Sequence, residues 1–587
     1  MSGGVGIIYS RFSLVRNILD AQKAGGIYDF GGANGKQQWL KKHYAYLAPN
    51  GVASLLRRFC IKFDWIEEGT SLTQETLKKY HTLVLPNASA LSNPSCQAIG
   101  EWVSHGGYLW VTDRTNLPFE ILGLSSLERM QPLGYTALGI DDQLVIIGYR
   151  GYPVGVCQAS PNSRVLASAR EVRYPVQENR DAGIFLGDGV IQNGTVLYFA
   201  LPLFETFGAM LQGHVNFEDI RAWGHRFKYL DWVGRVVKDL LQEAGWEHLW
   251  RVRMKPWGDH NGVIVLRHDV DSSTDTTYLD YEKENLIPAT YAVLNDPSRQ
   301  YWLEAATSHP AAEAAFHFDT TPDPLVQRFF PNQAITSAIQ KTSKRGLWRQ
   351  TRLATKVGIP IQTVQRHFGY FPYPEMVDAL DYLYDHEKDI LGAGTMFRFT
   401  NFMYGARSLQ DQRTYAVQHP DTSAPFWFPF KLWYTSVNRH QALRGWDITS
   451  VVEPEPWLTD LLFNQIDYLE DGVYTLGFHP AHCWGKNFCP QGNWRWFEYA
   501  VQAGKAKNFL FSTCQDVFER LNQWEQIDFG FDVRTTEGLI INNVSSTSTV
   551  FLETSLNALR SHGEVQIDQV SERLYKIILP AGKALAF

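Results

Sequence analysis

Short apolar runs alternate with amphipathic stretches up to residue 245. TLVLPNASAL (82–91) predicts a buried strand running into a loop, NPSCQAIGEWVSHGG a helix closed by Gly106 and Gly107, and YLWVTD the next strand. TVLYFALPLF (195–204) reads as a further strand, and YLDWVGRVVKDLLQEAG as a helix ending at Gly245. That rhythm implies a doubly wound parallel sheet. A second segment, 250–526, opens with the strand VIVLRHDVD, then a helix, then the strand PATYAVLN. In 529–587 the pattern changes to short alternating runs, LIINNVS, TVFLET, EVQIDQV and YKIILPAG, separated by Asn, Ser and Gly, which predict a small antiparallel β domain. The expected fold class is α/β in three parts, bounded at 1–245, 250–526 and 529–587. Length agrees, since 587 residues exceed what one core holds.

Candidate chemistry concentrates where the strand VIVLRHDVDSS (263–273) stops, in Arg267, His268, Asp269 and Asp271. Charge at the end of a buried strand is costly unless something uses it, and the carboxyl ends of strands are where α/β folds bind ligands and metals. Side chains alternate along a strand, so Asp269 and Asp271 point the same way, as a general base and a metal ligand would. Histidines end three later strand-like runs: His317 in AAEAAFHFDT, His367 beside Arg366 in IQTVQRHFGYF, and His479 in YTLGFHPAHCW, with His482 three positions on. Taken singly, each reads more readily as an ordinary buried or capping histidine. Four strand-terminal polar clusters in sequence are what a β/α barrel needs to build one site at its rim.

Composition narrows the choice of function. Hydrophobic content of 44% and charged content of 20% are those of an ordinary globular protein. A net charge of −7 with no basic block argues against a nucleic-acid groove. Aromatic content is high at 14%, with 19 Trp and 27 Tyr, and such rings line sugar-binding clefts as readily as they pack cores. No run reaches the roughly 18 apolar residues of a membrane span. The N-terminal sequence shows no basic region, apolar core and cleavage site of a signal peptide, which gives a cytoplasmic reading, with peripheral association with a glycan-synthesis system as one setting. Six cysteines (Cys60, Cys96, Cys157, Cys483, Cys489, Cys514) without a C-x-x-C form no disulfide framework and are read as free thiols.

Two resemblances add to this. LVLPNASAL, the helix after it and GGYLWVTD resemble class I glutamine amidotransferase-like domains, including the trimerisation domain of some β-galactosidases. That likeness implies a flavodoxin-like doubly wound domain and a homo-oligomer formed through it. The turn after YLWVT holds Asp113 and Arg114 in place of the nucleophilic cysteine, and Cys96 falls inside the predicted helix, so the domain is read as structural, oligomerising or ligand-binding. Residues 255–525 resemble the polysaccharide deacetylase family, the carbohydrate esterases with a NodB-type homology domain, in a branch whose opening motif is RHDVD. The resemblance implies a deformed β/α barrel and a carbohydrate substrate. It makes Asp269 the catalytic base, Asp271, His317 and His367 the ligands of a divalent metal, Arg366 the arginine that orients the base, and His479 the general acid. PFWFPFKLW (425–433) and EPEPWLTDLLF match later segments of that branch. The chain departs from the pattern at Ala315-Phe316-His317 and in GAGTMFRFTNFMYG, which lacks the family's aspartate.

Two histidines and one carboxylate leave positions open on a divalent ion. Zinc is the first choice, with cobalt or iron suited to the same donors. The chemistry expected is hydrolysis of an N- or O-acetyl group, with Asp269 taking a proton from the attacking water and His479 protonating the departing atom. Three rivals use the same features differently. A non-haem iron oxygenase shares the donor set. A glycoside hydrolase would need a carboxylate pair, such as Glu453 and Glu455 in VVEPEPW. A weakened, carbohydrate-binding or assembly protein would use the aromatic surface alone.

Overall fold

The computed structural model describes residues 4–10, 12–13, 16, 47–68, 72–112, 114–130, 135–140, 143–148, 154–172, 179–191, 193–201, 203–204, 236–270, 273–294, 300–318, 363–366, 392–393, 433–434, 444–445, 472–484, 494–533, 535–556, 559 and 563–587. The chain divides into two compact units, one of residues 1–259 with 526–587 and one of residues 260–525.

In the first unit β1 (Gly4–Tyr9), α1 (Leu47–Arg58), β2 (Phe63–Glu67), α2 (Gln74–Leu77), β3 (Tyr80–Pro86), α3 (Asn93–Ser104) and β4 (Tyr108–Thr112) alternate as the apolar pattern predicts. β3 and β4 are buried along nearly their whole length, as strands covered on both faces are. Ser92 starts α3 by accepting a hydrogen bond from the Ser95 amide, and Gly106, at φ +98°, closes it in the left-handed region. The chain continues through β5 (Leu124–Met130), β6 (Tyr135–Ile140), β7 (Gln143–Gly148), β8 (Val154–Ala159), β9 (Ser163–Val172), β10 (Asn179–Ile191), β11 (Gly194–Phe199) and β12 (Val252–Lys255).

The main sheet runs β2-β1-β3-β4-β11-β10-β9-β6-β7. Its first five strands are mutually parallel and follow the 2-1-3-4-5 order of doubly wound sheets. Beyond β11 it departs from the expected rhythm, because β10, β9, β6 and β7 add in antiparallel fashion and β5 pairs with β8 separately. SRVLASAREV and NRDAGIFLGDGVI mix charged with apolar residues, which suits antiparallel strands with one solvated face better than a parallel interior.

The second unit contains β13 (Gly262–Asp269), α4 (Thr277–Asn285), β14 (Ala289–Leu294), α5 (Gln300–Thr307), β15 (Ala312–Phe318), β16 (Thr363–Arg366), β17 (Gly392–Ala393), the short ladder of β18 (Trp433–Tyr434) with β19 (Arg444–Gly445), β20 (Gly472–Phe478), α6 (Trp494–Ala506), β21 (Leu510–Phe511) and α7 (Cys514–Glu525). The sheet order is β17-β16-β15-β14-β13-β20, every pair parallel, with β21 also joining β13. β13 is buried at all eight positions. Consecutive strands run outward on one side of β13 while β20 returns on the other, so the strand order reverses there. A doubly wound sheet and a β/α barrel share this connectivity, and both place their chemistry at the carboxyl ends of the strands.

The last strands, β22 (Ile527–Asp532), β23 (Glu537–Asn542), β24 (Ser548–Thr554), β25 (Gln566–Gln569), β26 (Leu574–Leu579) and β27 (Ala584–Ala586), belong to the first unit. They are antiparallel, as their alternation predicts, in a β22-β23-β27 sheet and a β12-β24-β26-β25 sheet that takes in β12. Arg253 of β12 pairs with Glu553 and donates to the Phe59 carbonyl at 3.2 Å, and Lys62 donates to the Ile527 carbonyl at 2.9 Å. Among the described residues no helix is long and apolar enough to cross a membrane.

Candidate functional site

Alternation along β13 gives its two faces different work. His268 and its register partners Tyr291 of β14 and Phe478 of β20 share one face. Fully buried His268 lies between Tyr278 of α4 (4.9 Å) and Tyr291 (4.7 Å), with both rings nearly parallel to it. Its Nε2 is 2.8 Å from Glu282 Oε1, and the Tyr291 hydroxyl donates to the other oxygen of the same buried carboxylate. Burial and the Glu282 carboxylate hold the Tyr291 phenol well above its ordinary range, so it stays a donor. This network fixes α4 against β13 and leaves the opposite face to the candidate chemistry.

Arg267 and Asp269 occupy that opposite face, and His479 comes directly after Phe478, the last residue of β20 and the register partner of His268. Arg267 Nη2 donates to Asp269 Oδ2 at 2.8 Å, and His479 Nε2 lies 3.7 Å from the same oxygen. Side-chain exposure is 8% for Arg267 and Asp269 and 14% for His479, so the group is nearly withdrawn from water yet reachable from the strand ends. A carboxylate held by an arginine, with an imidazole one short movement away, can accept a proton and pass one on. Nearby Glu313 of β15 has a different task. Its Oε2 accepts from the Thr290 hydroxyl at 2.9 Å and the Gln515 amide at 3.0 Å, and Thr290 accepts from the Cys514 amide at 2.9 Å, which anchors the start of α7.

Of the residues singled out in the sequence, Asp269 and His479 are brought together. Arg267 meets Asp269, and of Arg366 only the backbone, at the end of β16, is described. Position i−2 on a strand shares a face with i, and across the sheet Asp269 is level with Ala292 and Ala315, one step before the pair of Phe316 with Val364 and three before that of Phe318 with Arg366. His317 is a backbone position of β15, two residues beyond the one level with Asp269. Asp271, His367, Glu453, Glu455 and Cys489 lie outside the described residues. Among the described residues no group of three or more His, Cys, Asp or Glu could hold a metal ion. The same alternation that pairs Asp269 with Asp271 was the signal available for Arg267.

In the first unit Arg114 is buried just after β4, and Asp113 lies outside the described residues. Cys96 sits within α3 as expected, where burial and then the charge of Glu68 raise its thiol above the ordinary range. Cys60, Cys157, Cys483 and Cys514 are likewise buried free thiols. Burial, followed by the charge of Asp275, pushes the Cys483 thiol up to about 12.

No family model matches the chain, and no curated protein matches it. Solved structures share parts of it. A GH42 beta-galactosidase from G. stearothermophilus is 15% identical over 42% of this chain and 30% of its own, with a TM-score of 0.25. An exo-beta-1,4-mannosidase from Opitutaceae bacterium strain TAV5 is 9% identical over 40% of this chain and 36% of its own, also at 0.25. An alpha-L-fucosidase from Paenibacillus thiaminolyticus is 14% identical over 43% of this chain and 34% of its own, at 0.24. The chain thus spans about a third of the length of these proteins, and likeness at this level fixes neither fold nor activity.

Proposed function

We propose that this protein is a hydrolase acting on an acetylated carbohydrate, with its second unit removing the acetyl group. The observation that supports this is the convergence of Asp269, Arg267 and His479 where the strand order reverses at the carboxyl end of β13. Asp269 accepts a proton from the attacking water, Arg267 holds the carboxylate in place for it, and His479 delivers a proton to the departing nitrogen or oxygen. Asp271, His317 and His367 would hold the divalent metal, zinc first among the choices, which supplies Lewis-acid polarisation of the acyl carbonyl and an acidified water. The first unit, with no thiol seen at the end of β4, serves binding or assembly, including association of copies of this chain.

Acetate release from acetylated chitotetraose and acetylated xylo-oligosaccharides tests the reading. Asp269→Asn lowers turnover by about 10²- to 10⁴-fold. His479→Ala produces a loss of the same order. Arg267→Met lowers turnover by about 10- to 100-fold, the usual cost of removing a group that orients a catalytic one. Unchanged acetate release from Asp269→Asn would sink the proposal. Reducing ends released without acetate would move the function to a glycoside hydrolase, the class named for the partly similar solved structures.

A further inference from the structure

Trp484 stands five residues after His479 on the loop that leaves β20, and it is 61% exposed. An indole that open to water usually packs loosely, but this one is fixed twice. Its Nε1 donates to the Thr277 hydroxyl at 3.1 Å, at the start of α4, and its ring lies on Trp494 at 5.5 Å with 29° between the planes. The stacking continues inward from Trp494 to Tyr278 (5.7 Å, 26°), to His268 (4.9 Å, 27°), to Tyr291 (4.7 Å, 25°) and to Trp302 (5.9 Å, 22°). Six rings, each tilted by 22° to 29° from the next, therefore form a series through His268 on the face of β13 opposite Asp269, and Trp484 is its outermost member.

A column anchored at both hydrogen-bonding ends leaves Trp484 little freedom to turn. The inner end is held by the His268, Glu282 and Tyr291 network and by Trp302 Nε1, which donates to the Ser273 carbonyl at 2.6 Å. Beside the outer end, Asp275 Oδ1 accepts from the Thr277 amide at 2.9 Å, and its charge acts on both Tyr278 and Cys483. A rigid flat apolar face next to a hydrogen-bond acceptor matches a pyranose, which offers an apolar face and a rim of hydroxyl donors.

We infer that the outward face of Trp484, on the loop that follows His479 at the carboxyl end of β20, is a stacking subsite for a pyranose ring. The inference rests on the carbohydrate reading above and names a contact for the sugar chain. Thr277 holds the indole at the angle it needs.

Binding of chitotetraose, cellotetraose, xylotetraose and mannotetraose to the full chain, followed by calorimetry and tryptophan fluorescence, reads this directly. At least one of them binds the unaltered protein. Trp484→Ala weakens that binding about tenfold or more, Trp484→Phe restores most of it, and Thr277→Val gives an intermediate loss. Trp484→Ala stays folded and melts within a few degrees of the unaltered protein, because it loses only one partly exposed stacking contact and one hydrogen bond. Equal affinity in Trp484→Ala and the unaltered protein overturns the inference, and so does failure of all four sugars to bind the unaltered protein. Sugar binding that depends on Trp484, without acetate release, supports the subsite and sinks the deacetylase chemistry.

Discussion

His248 shows how one residue can tie stability to pH. Its Nε2 is 3.0 Å from the Thr82 hydroxyl, which is also 2.7 Å from His81 Nδ1, and its ring lies against Tyr108 at 4.3 Å and Trp246 at 6.0 Å. Burial, followed by the charge of Arg251, brings its pKa down from 6.5 to about 4. In the unfolded chain it takes a proton near 6.5, and in the folded protein only near 4, so unfolding takes up a proton between these values. The contribution is therefore complete above pH 6.5 and is lost as pH falls towards 4. It amounts to on the order of 3 kcal/mol. Asp64 acts the opposite way, since burial raises its carboxyl and the folded state protonates first. Urea unfolding of the first unit at pH 7.5 and 4.5 is expected to show a smaller acid loss in His248→Gln than in the unaltered protein. Equal losses in the two proteins would remove His248 as the cause.

At the scale of elements, the sequence was most legible where periodicity and end signals agreed. β3, α3 and β4 follow from LVLPNASAL, Ser92 with Pro94, the pair Gly106 and Gly107, and YLWVT. β13 and β14 were equally clear as apolar runs. The antiparallel extension of the first sheet was harder to read, because QLVIIG and VGVCQA are short apolar runs that suit either kind of sheet. The candidate site was half legible. Asp269 and His479 carry strand-end signals of their own, but only the return of β20 beside β13 makes them neighbours. Long-range approach also sets the role of Gly194, at the start of β11. A Cβ there would lie 2.0 Å from the Val103 carbonyl oxygen and 2.8 Å from that of Gly107, both backbone atoms at the end of α3 that cannot swing aside. Gly194→Ala should cost about 1–3 kcal/mol, the usual range for overpacking. Gly245→Ala, at φ +84° with open space around it, should cost about 1 kcal/mol from backbone strain alone. Thermal melts of the two variants check this, and a Gly194→Ala protein as stable as Gly245→Ala would contradict the close approach.

For the whole molecule, the periodicity change near Phe529 marks the start of antiparallel strands, and residues 526–587 fall in the same compact unit as residues 1–259. β12 has β24 as its hydrogen-bonded neighbour, with Val252 opposite Thr554 and Met254 opposite Leu552. Met254 and Leu552 are fully buried. A chain ending at Gln526 would strip β12 of that strand, take Glu553 from Arg253 and the Ile527 carbonyl from Lys62, and leave an apolar edge open to pairing with other chains. Loss of the partner of a mostly buried charge alone costs about 3–5 kcal/mol. The 1–526 chain is thus expected to aggregate or to melt at lower temperature in its first unit. In hydrogen exchange, Val263 to Leu266 in the interior of β13 should keep their protection, because every partner strand of β13 lies within residues 260–525. A 1–526 chain that stays monomeric and melts like the full protein would show residues 526–587 to be an independent domain. Loss of protection in β13 as well would show that the two units fold as one.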